Sequence, residues 1–211
     1  MTSALKFVLR VHTLPFCGIL FLYALLVSVL NQLFPGGYFS MYYAAFPLFC
    51  IIILAMSAIS LGGVHMNLAL SMGACRRDYC KSVHADILLT TLFALTLHTV
   101  LYHFQTRFSI PESVPSLTFS RTGEILFYCL TGQFIALGAI SFSQRSQITA
   151  GLISGLSTML LISGYLFSSL LTTLHWSQLY ILSRIITILL ILAAVGGELL
   201  FLRTLRRAAV K

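Results

Sequence analysis

The side chains that could carry chemistry are six histidines, five cysteines and five carboxylates, and their spacing argues against most of the reactions they could perform. His84, His98, His103 and His175 do not form ligand pairs. His98 and His103 stand five apart, on different faces of a helix, and no HExxH or CxxCH accompanies them. Among Cys17, Cys50, Cys75, Cys80 and Cys129 the close pair is Cys75 and Cys80, a spacing that fits neither a CxxC redox site nor a zinc knuckle. The Gly-x-x-x-x-Gly-Lys-[Ser/Thr] loop that cradles nucleotide phosphates is missing, since Lys81-Ser82 follows Cys80 and Cys75 where the glycines belong. An intramembrane enzyme or redox carrier would need polar groups converging at one depth, and no such convergence is legible. The expectation is a chain that performs no covalent chemistry, with no catalytic residue, no metal and no cofactor of its own.

The elements around these residues follow from composition: 58% of the 211 residues are apolar and 9% are charged, with a mean hydropathy of +0.96. A hydrocarbon slab of about 30 Å takes roughly 20 apolar residues per helix. Six runs of that kind lie at residues 14–34, 43–65, 83–104, 124–142, 148–171 and 178–202. They are separated by Pro35-Gly36-Gly37, by Arg76-Arg77-Asp78, by a stretch holding Pro111 and Pro115, and by two short polar connections. The fold expected is all-α, a polytopic membrane protein of six transmembrane helices forming one transmembrane domain over residues 1–211.

Orientation follows from the cations, which are retained on the cytoplasmic side during insertion. The side holding both termini and the second and fourth connections carries ten of the thirteen Lys and Arg; the other side carries Arg107 and Arg121, and Arg184 falls inside the last run. Both termini are therefore expected in the cytoplasm of a multi-pass cell-membrane protein, where thiols stay reduced. This distribution also accounts for the net charge of +8 as topology anchoring near anionic headgroups rather than nucleic-acid binding. Residues 1–12 interleave Leu5, Val8 and Leu9 with Lys6 and Arg10, the pattern of a short helix lying on the inner surface.

A charge at mid-bilayer costs about 2.5–3.5 kcal/mol on insertion scales, and the sequence places most of its ionisable groups near span ends. Asp86 lies towards the inner end of the third run and Glu124 towards the outer end of the fourth. Glu198 is within reach of Arg203, and Arg184 is positioned to turn its guanidinium outward.

Between the second and third runs, NLALSMGACRRDYCK at 67–81 is polar enough to leave the bilayer. Leu68, Leu70 and Met72 can anchor a short helix, Gly73 permits a bend, and Arg76, Arg77 and Asp78 offer charges to a soluble partner. Asp78 and Lys81 are spaced for a weak pair on one helix face. Asn67, Ser71, Gly73, Arg76, Arg77 and Tyr79 resemble the pattern "N…S.G.sRk.fy" of the permease subunits of type 2 ATP-binding cassette exporters, with Cys75 where such loops often have Ser or Thr.

The resemblance implies that residues 67–82 are a coupling segment that sits on a separate cytoplasmic ATPase subunit, through Asn67, Ser71, Gly73, Arg76, Arg77, Asp78, Tyr79 and Lys81. It implies that ATP and Mg are bound by that partner, and that a second permease completes a homo- or heterodimer in a bacterial-type membrane. It further implies that Tyr43, Phe46, Phe49, Gly155, Met159 and Ser163, on the second and fifth runs, line a substrate path. Few fixed charges suggest an amphipathic or peptide-like cargo. Small residues that let backbones approach, Gly151 and Gly155 in the fifth run and Gly132, Ala136 and Ala139 in the fourth, are candidate packing positions. The alternative reading is a non-transporting membrane immunity or sensory protein that binds a peptide or protein.

Overall fold

The computed structural model describes residues 3–34, 40–107, 122–142 and 177–207, together with residues 152, 155–156, 158–159 and 161–166. Apart from short turns, all of these are helical. In chain order the elements are α1 (Ser3–Val8), a π-helical turn (Leu9–Thr13), α2 (Leu14–Leu33), α3 (Ser40–Ser60), a second π-helical turn (Leu61–His65), α4 (Met66–Ser71), α5 (Arg76–Arg107), α6 (Thr122–Phe142) and α7 (Ser177–Arg207).

Among the described residues, five helices are long and apolar enough to cross a membrane: Ser3–Leu33, Ala45–Ser71, Arg76–Phe104, Thr122–Ser141 and Ser183–Arg207. The expected run at 148–171 lies largely outside the described residues. Where described, residues 161–166 are helical, with Leu161 and Tyr165 buried. Tyr128 of α6 donates its hydroxyl to the Gly164 carbonyl at 3.1 Å and meets the Tyr165 ring edge-on.

The N-terminal residues expected on the membrane surface continue into α2, so that residues 3–33 form one helix. The join is a π-helical turn followed by Pro15, which has no amide to return to the preceding turn. A π-turn loosens the i→i−4 ladder, and side chains use carbonyls beside both π-turns. Thr13 Oγ1 lies 3.3 Å from Val8 O, and Tyr79 Oη donates to Leu61 O at 2.7 Å.

α6 packs chiefly against α7 and α3, and α2 packs against α5. The α6–α7 crossing is set by Gly138 and Gly197: a Cβ on Gly138 would stand 2.3 Å from Gly197 Cα, and one on Gly197 would stand 2.2 Å from Phe134 O. One apolar cluster gathers Leu20, Val27, Tyr43, Phe46, Leu54, Leu97 and Leu161, and a second gathers Val8, Leu61, Met66, Tyr79, Leu137 and Phe201. Outside the core, α2 exposes Leu22, Leu26 and Val29, and α7 exposes Ile188, Leu192, Val195 and Leu199. Continuous apolar faces of this length suit hydrocarbon rather than water.

Candidate functional site

The 67–82 stretch forms the tip of a helical hairpin. α4 supplies its first half as the continuation of α3, and α5 opens at Arg76 to supply the second. Between them the chain turns at Gly73, whose φ of +84° is a left-handed conformation that favours glycine. Gly73 N–H donates to Leu70 O at 3.1 Å and Ala74 N–H to Ala69 O at 3.0 Å, the paired bonds of a Schellman C-cap. The tip is therefore a capped, defined turn joining two long helices.

Its side chains divide by exposure. Asn67, Leu68, Ser71, Met72, Cys75, Arg77 and Lys81 are exposed, Asp78 is half-buried, and Tyr79 is fully buried with its hydroxyl on Leu61 O. Tyr79 thus ties α5 to the π-turn that follows α3. Arg76 is exposed but donates from Nη1 to the Arg206 carbonyl at 2.8 Å, at the far end of α7. Asp78 and Lys81 form no ion pair, although their spacing allows one; histidine and carboxylate meet instead at His12–Asp86 and His84–Glu198. Asp78 suits the positive N-terminus of α5, whereas Arg76 and Arg77 oppose it by about 0.3–1 kcal/mol each. Local helix stability does not account for those two cations. Beside the tip, Ser3, Ala4 and Phe7 of α1 face Ala69, Met72 and Ala74 across a shallow cleft.

The residues expected to line a path fall into two groups. Tyr43 and Phe46 are buried, and Phe49 stacks on Tyr23 of α2 with ring centroids 4.1 Å apart. Gly155, Met159 and Ser163 are each helical and exposed. The first group is core within this chain, and only the second presents an open face. The packing glycine that matters in α6 is Gly138; Gly132 meets Leu161, and a Cβ on Gly155 would meet nothing within 4 Å.

The structure also corrects the expectation that no polar groups converge. His12, Ser57 and Asp86 have no exposure and Thr13 has 7%, and they come from three separate helices. His12 Nδ1 lies 3.3 Å from Asp86 Oδ1, and His12 Nε2 lies 3.0 Å from the Ser57 carbonyl and 3.4 Å from Ser57 Oγ. Thr13 Oγ1 is 2.5 Å from the same Asp86 oxygen. The other oxygen, Oδ2, is buried with no hydrogen-bond partner. The His65 ring stands edge-on to His12 at 5.2 Å.

One turn further along α5, Thr90 and Thr91 meet Gln133 of α6, whose amide donates to Thr91 Oγ1 at 2.9 Å and to Cys129 O at 3.1 Å. On the opposite side of α5, His84 Nε2 meets Glu198 Oε1 at 2.9 Å. Glu198 is thus held by His84 across helices rather than by Arg203 on its own helix, which spacing alone had favoured. No group of three His, Cys, Asp or Glu among the described residues is arranged to hold a metal.

No family model, curated protein or solved structure matches the chain. The reading of the site therefore rests on the residues themselves. Sequence spacing missed His12–Asp86 because the partners are 74 positions apart and residues 1–12 read as a surface helix. The signal available was Asp86 itself, a carboxylate on a helix long and apolar enough to cross a membrane, where an ionisable group needs a partner.

Proposed function

We propose that this chain is the membrane-spanning permease subunit of an ATP-driven exporter, moving an amphipathic or peptide-like substrate with energy from a separate ATPase subunit. The observation that carries the reading is the capped tip at 67–82: an exposed cationic turn, at the end of two long helices, in a chain without a phosphate-binding loop. α5 alone has 32 residues, about 48 Å at 1.5 Å per residue, so a push at its start is delivered along a rigid rod. The likeness of Asn67, Ser71, Gly73, Arg76, Arg77 and Tyr79 to the permease pattern supports the same reading.

In this mechanism the ATPase closes on nucleotide and presses on the turn around Met72 and Arg77. The Tyr79–Leu61 bond and the Gly73 cap transmit the displacement to α3 and α5 together. The cargo path then forms between this chain and a second permease, with Gly155, Met159 and Ser163 on the face turned to it. The energy for alternating exposure is the ATPase's differential affinity for the two arrangements of the tip.

The test uses the double charge reversal Arg77→Glu and Lys81→Glu, which leaves the Arg76–Arg206 bond in place. The companion ATPase is expected to be lost from the purified complex while the variant keeps its thermal stability. Unchanged co-purification would overturn the docking role of the tip.

A further inference from the structure

The buried pair His12–Asp86 has no part in that mechanism, and its hydrogen bonding fixes how many protons it holds. The Ser57 carbonyl has no hydrogen to give, so the 3.0 Å contact requires the proton on His12 Nε2; the Ser57 hydroxyl, at 3.4 Å, is the longer contact. His12 Nδ1 then faces Asp86 Oδ1 at 3.3 Å, where two bare acceptors would repel. One further proton must lie between them, on either atom, and the pair is neutral overall. Neutrality fits the surroundings, because Asp86 Oδ2 is enclosed without a partner and a net buried charge left in that state is costly.

We infer that His12 and Asp86 form a proton-binding site inside the helical bundle, and that the shared proton latches the N-terminal helix to α3 and α5. His12 and Thr13 both belong to the first π-turn, so the latch grips the point where the long N-terminal helix is already loosened. When the proton leaves to water, His12 stays neutral with Nε2–H on Ser57 O, and Asp86 becomes a carboxylate held only by the Thr13 hydroxyl. The facing Nδ1 and Oδ1 lone pairs then separate residues 3–13 from α5.

Other titratable groups surround the pair. Cys17 of α2 and Tyr79 of α5 lie within electrostatic reach of Asp86, and His65 of the second π-turn adjoins His12. His84, two residues before Asp86, is directed to Glu198 on the other side of α5. α3 contributes Ser57 and α6 contributes Gln133, neither of which titrates.

The test is nitrogen NMR of histidine-labelled full-length protein in lipid nanodiscs, with the His12 signals identified by their loss in His12→Gln, alongside amide hydrogen exchange of residues 3–13. In the unaltered protein His12 is expected to carry Nε2–H with Nδ1 engaged by the shared proton. Raising pH should remove that proton and the exchange protection of residues 3–13 together, after correction for intrinsic exchange rates. Asp86→Asn, whose amide donates permanently to Nδ1, should keep that protection across the same range. A neutral Nδ1–H tautomer in the unaltered protein would overturn the proposal, as would a pH dependence of protection that is the same in Asp86→Asn. Should that variant not accumulate, the tautomer in the unaltered protein decides alone.

Discussion

Replacing Gly138 by Ala puts a methyl group where the backbones of α6 and α7 meet. The new Cβ would stand 2.3 Å from Gly197 Cα and 3.1 Å from its carbonyl carbon, whereas ordinary contact begins near 3.4 Å, so the helices must part by about 1 Å. The neighbouring atoms are backbone, and no rotamer change relieves them. Helices in a bilayer are held by close packing rather than by exclusion from water, and a gap of 0.5–1 Å forfeits about a quarter to a half of each contact's dispersion energy. Overpacking of this kind costs about 1–3 kcal/mol.

The assay is unfolding of the purified protein by SDS in mixed micelles, where the midpoint of Gly138→Ala should fall. Gly197→Ala should fall similarly, since its methyl would meet Phe134 O at 2.2 Å. The double variant should lose less than the sum, because the first separation relieves the second clash. Gly18→Ala, whose methyl meets nothing within 4 Å, should leave the midpoint unchanged or raise it, since helix propensity adds up to about 1 kcal/mol of stability. An unchanged midpoint in Gly138→Ala, or strictly additive losses, would refute the crossing as described.

Two further substitutions probe the tip. Tyr79→Phe removes the donor that satisfies Leu61 O; it should destabilise by about 1–3 kcal/mol in the same SDS titration and speed amide exchange in residues 61–65, and loss of neither would remove the brace. Gly73→Ala places a side chain at φ +84° with open space around it, so the whole effect is backbone strain of about 1–2 kcal/mol. It should appear as lowered coupling between ATP hydrolysis and transport together with faster exchange at Ala74, and full coupling with unchanged exchange would count against a rigid turn.

Sequence patterning made the helices legible because twenty apolar residues in a row have few other destinations. The bend at Gly73 was legible too, from a glycine between an apolar run and a charge cluster. What the chain did not reveal was which faces meet. In a soluble helix the apolar stripe marks the core, but here Leu192 facing outward and Leu190 facing inward are the same residue type, so periodicity carries little information about packing. Gly138 and Gly197 were invisible for that reason, since each has meaning only against the other helix.

The buried polar site was illegible on different grounds. An N-terminal dozen that interleaves apolar residues with two cations reads as a surface helix, and only the continuity of residues 3–33 through a π-turn carries His12 into contact with Asp86. Likewise nothing in the spacing of Arg76 and Tyr79 signals that one bonds the end of α7 and the other braces the second π-turn. Long-range partners of this kind depend on tertiary placement that local spacing does not encode.

The central claim is that force made elsewhere enters this bundle at the 67–82 tip. The most direct measurement places a photocrosslinking residue at Met72, 69% exposed beside the capped turn, in the protein's native membrane and identifies what it captures. The account predicts a soluble subunit with a phosphate-binding loop, captured more strongly in one nucleotide state than in another. Capture confined to lipid, to a second copy of this chain, or to a protein that binds no nucleotide would contradict it.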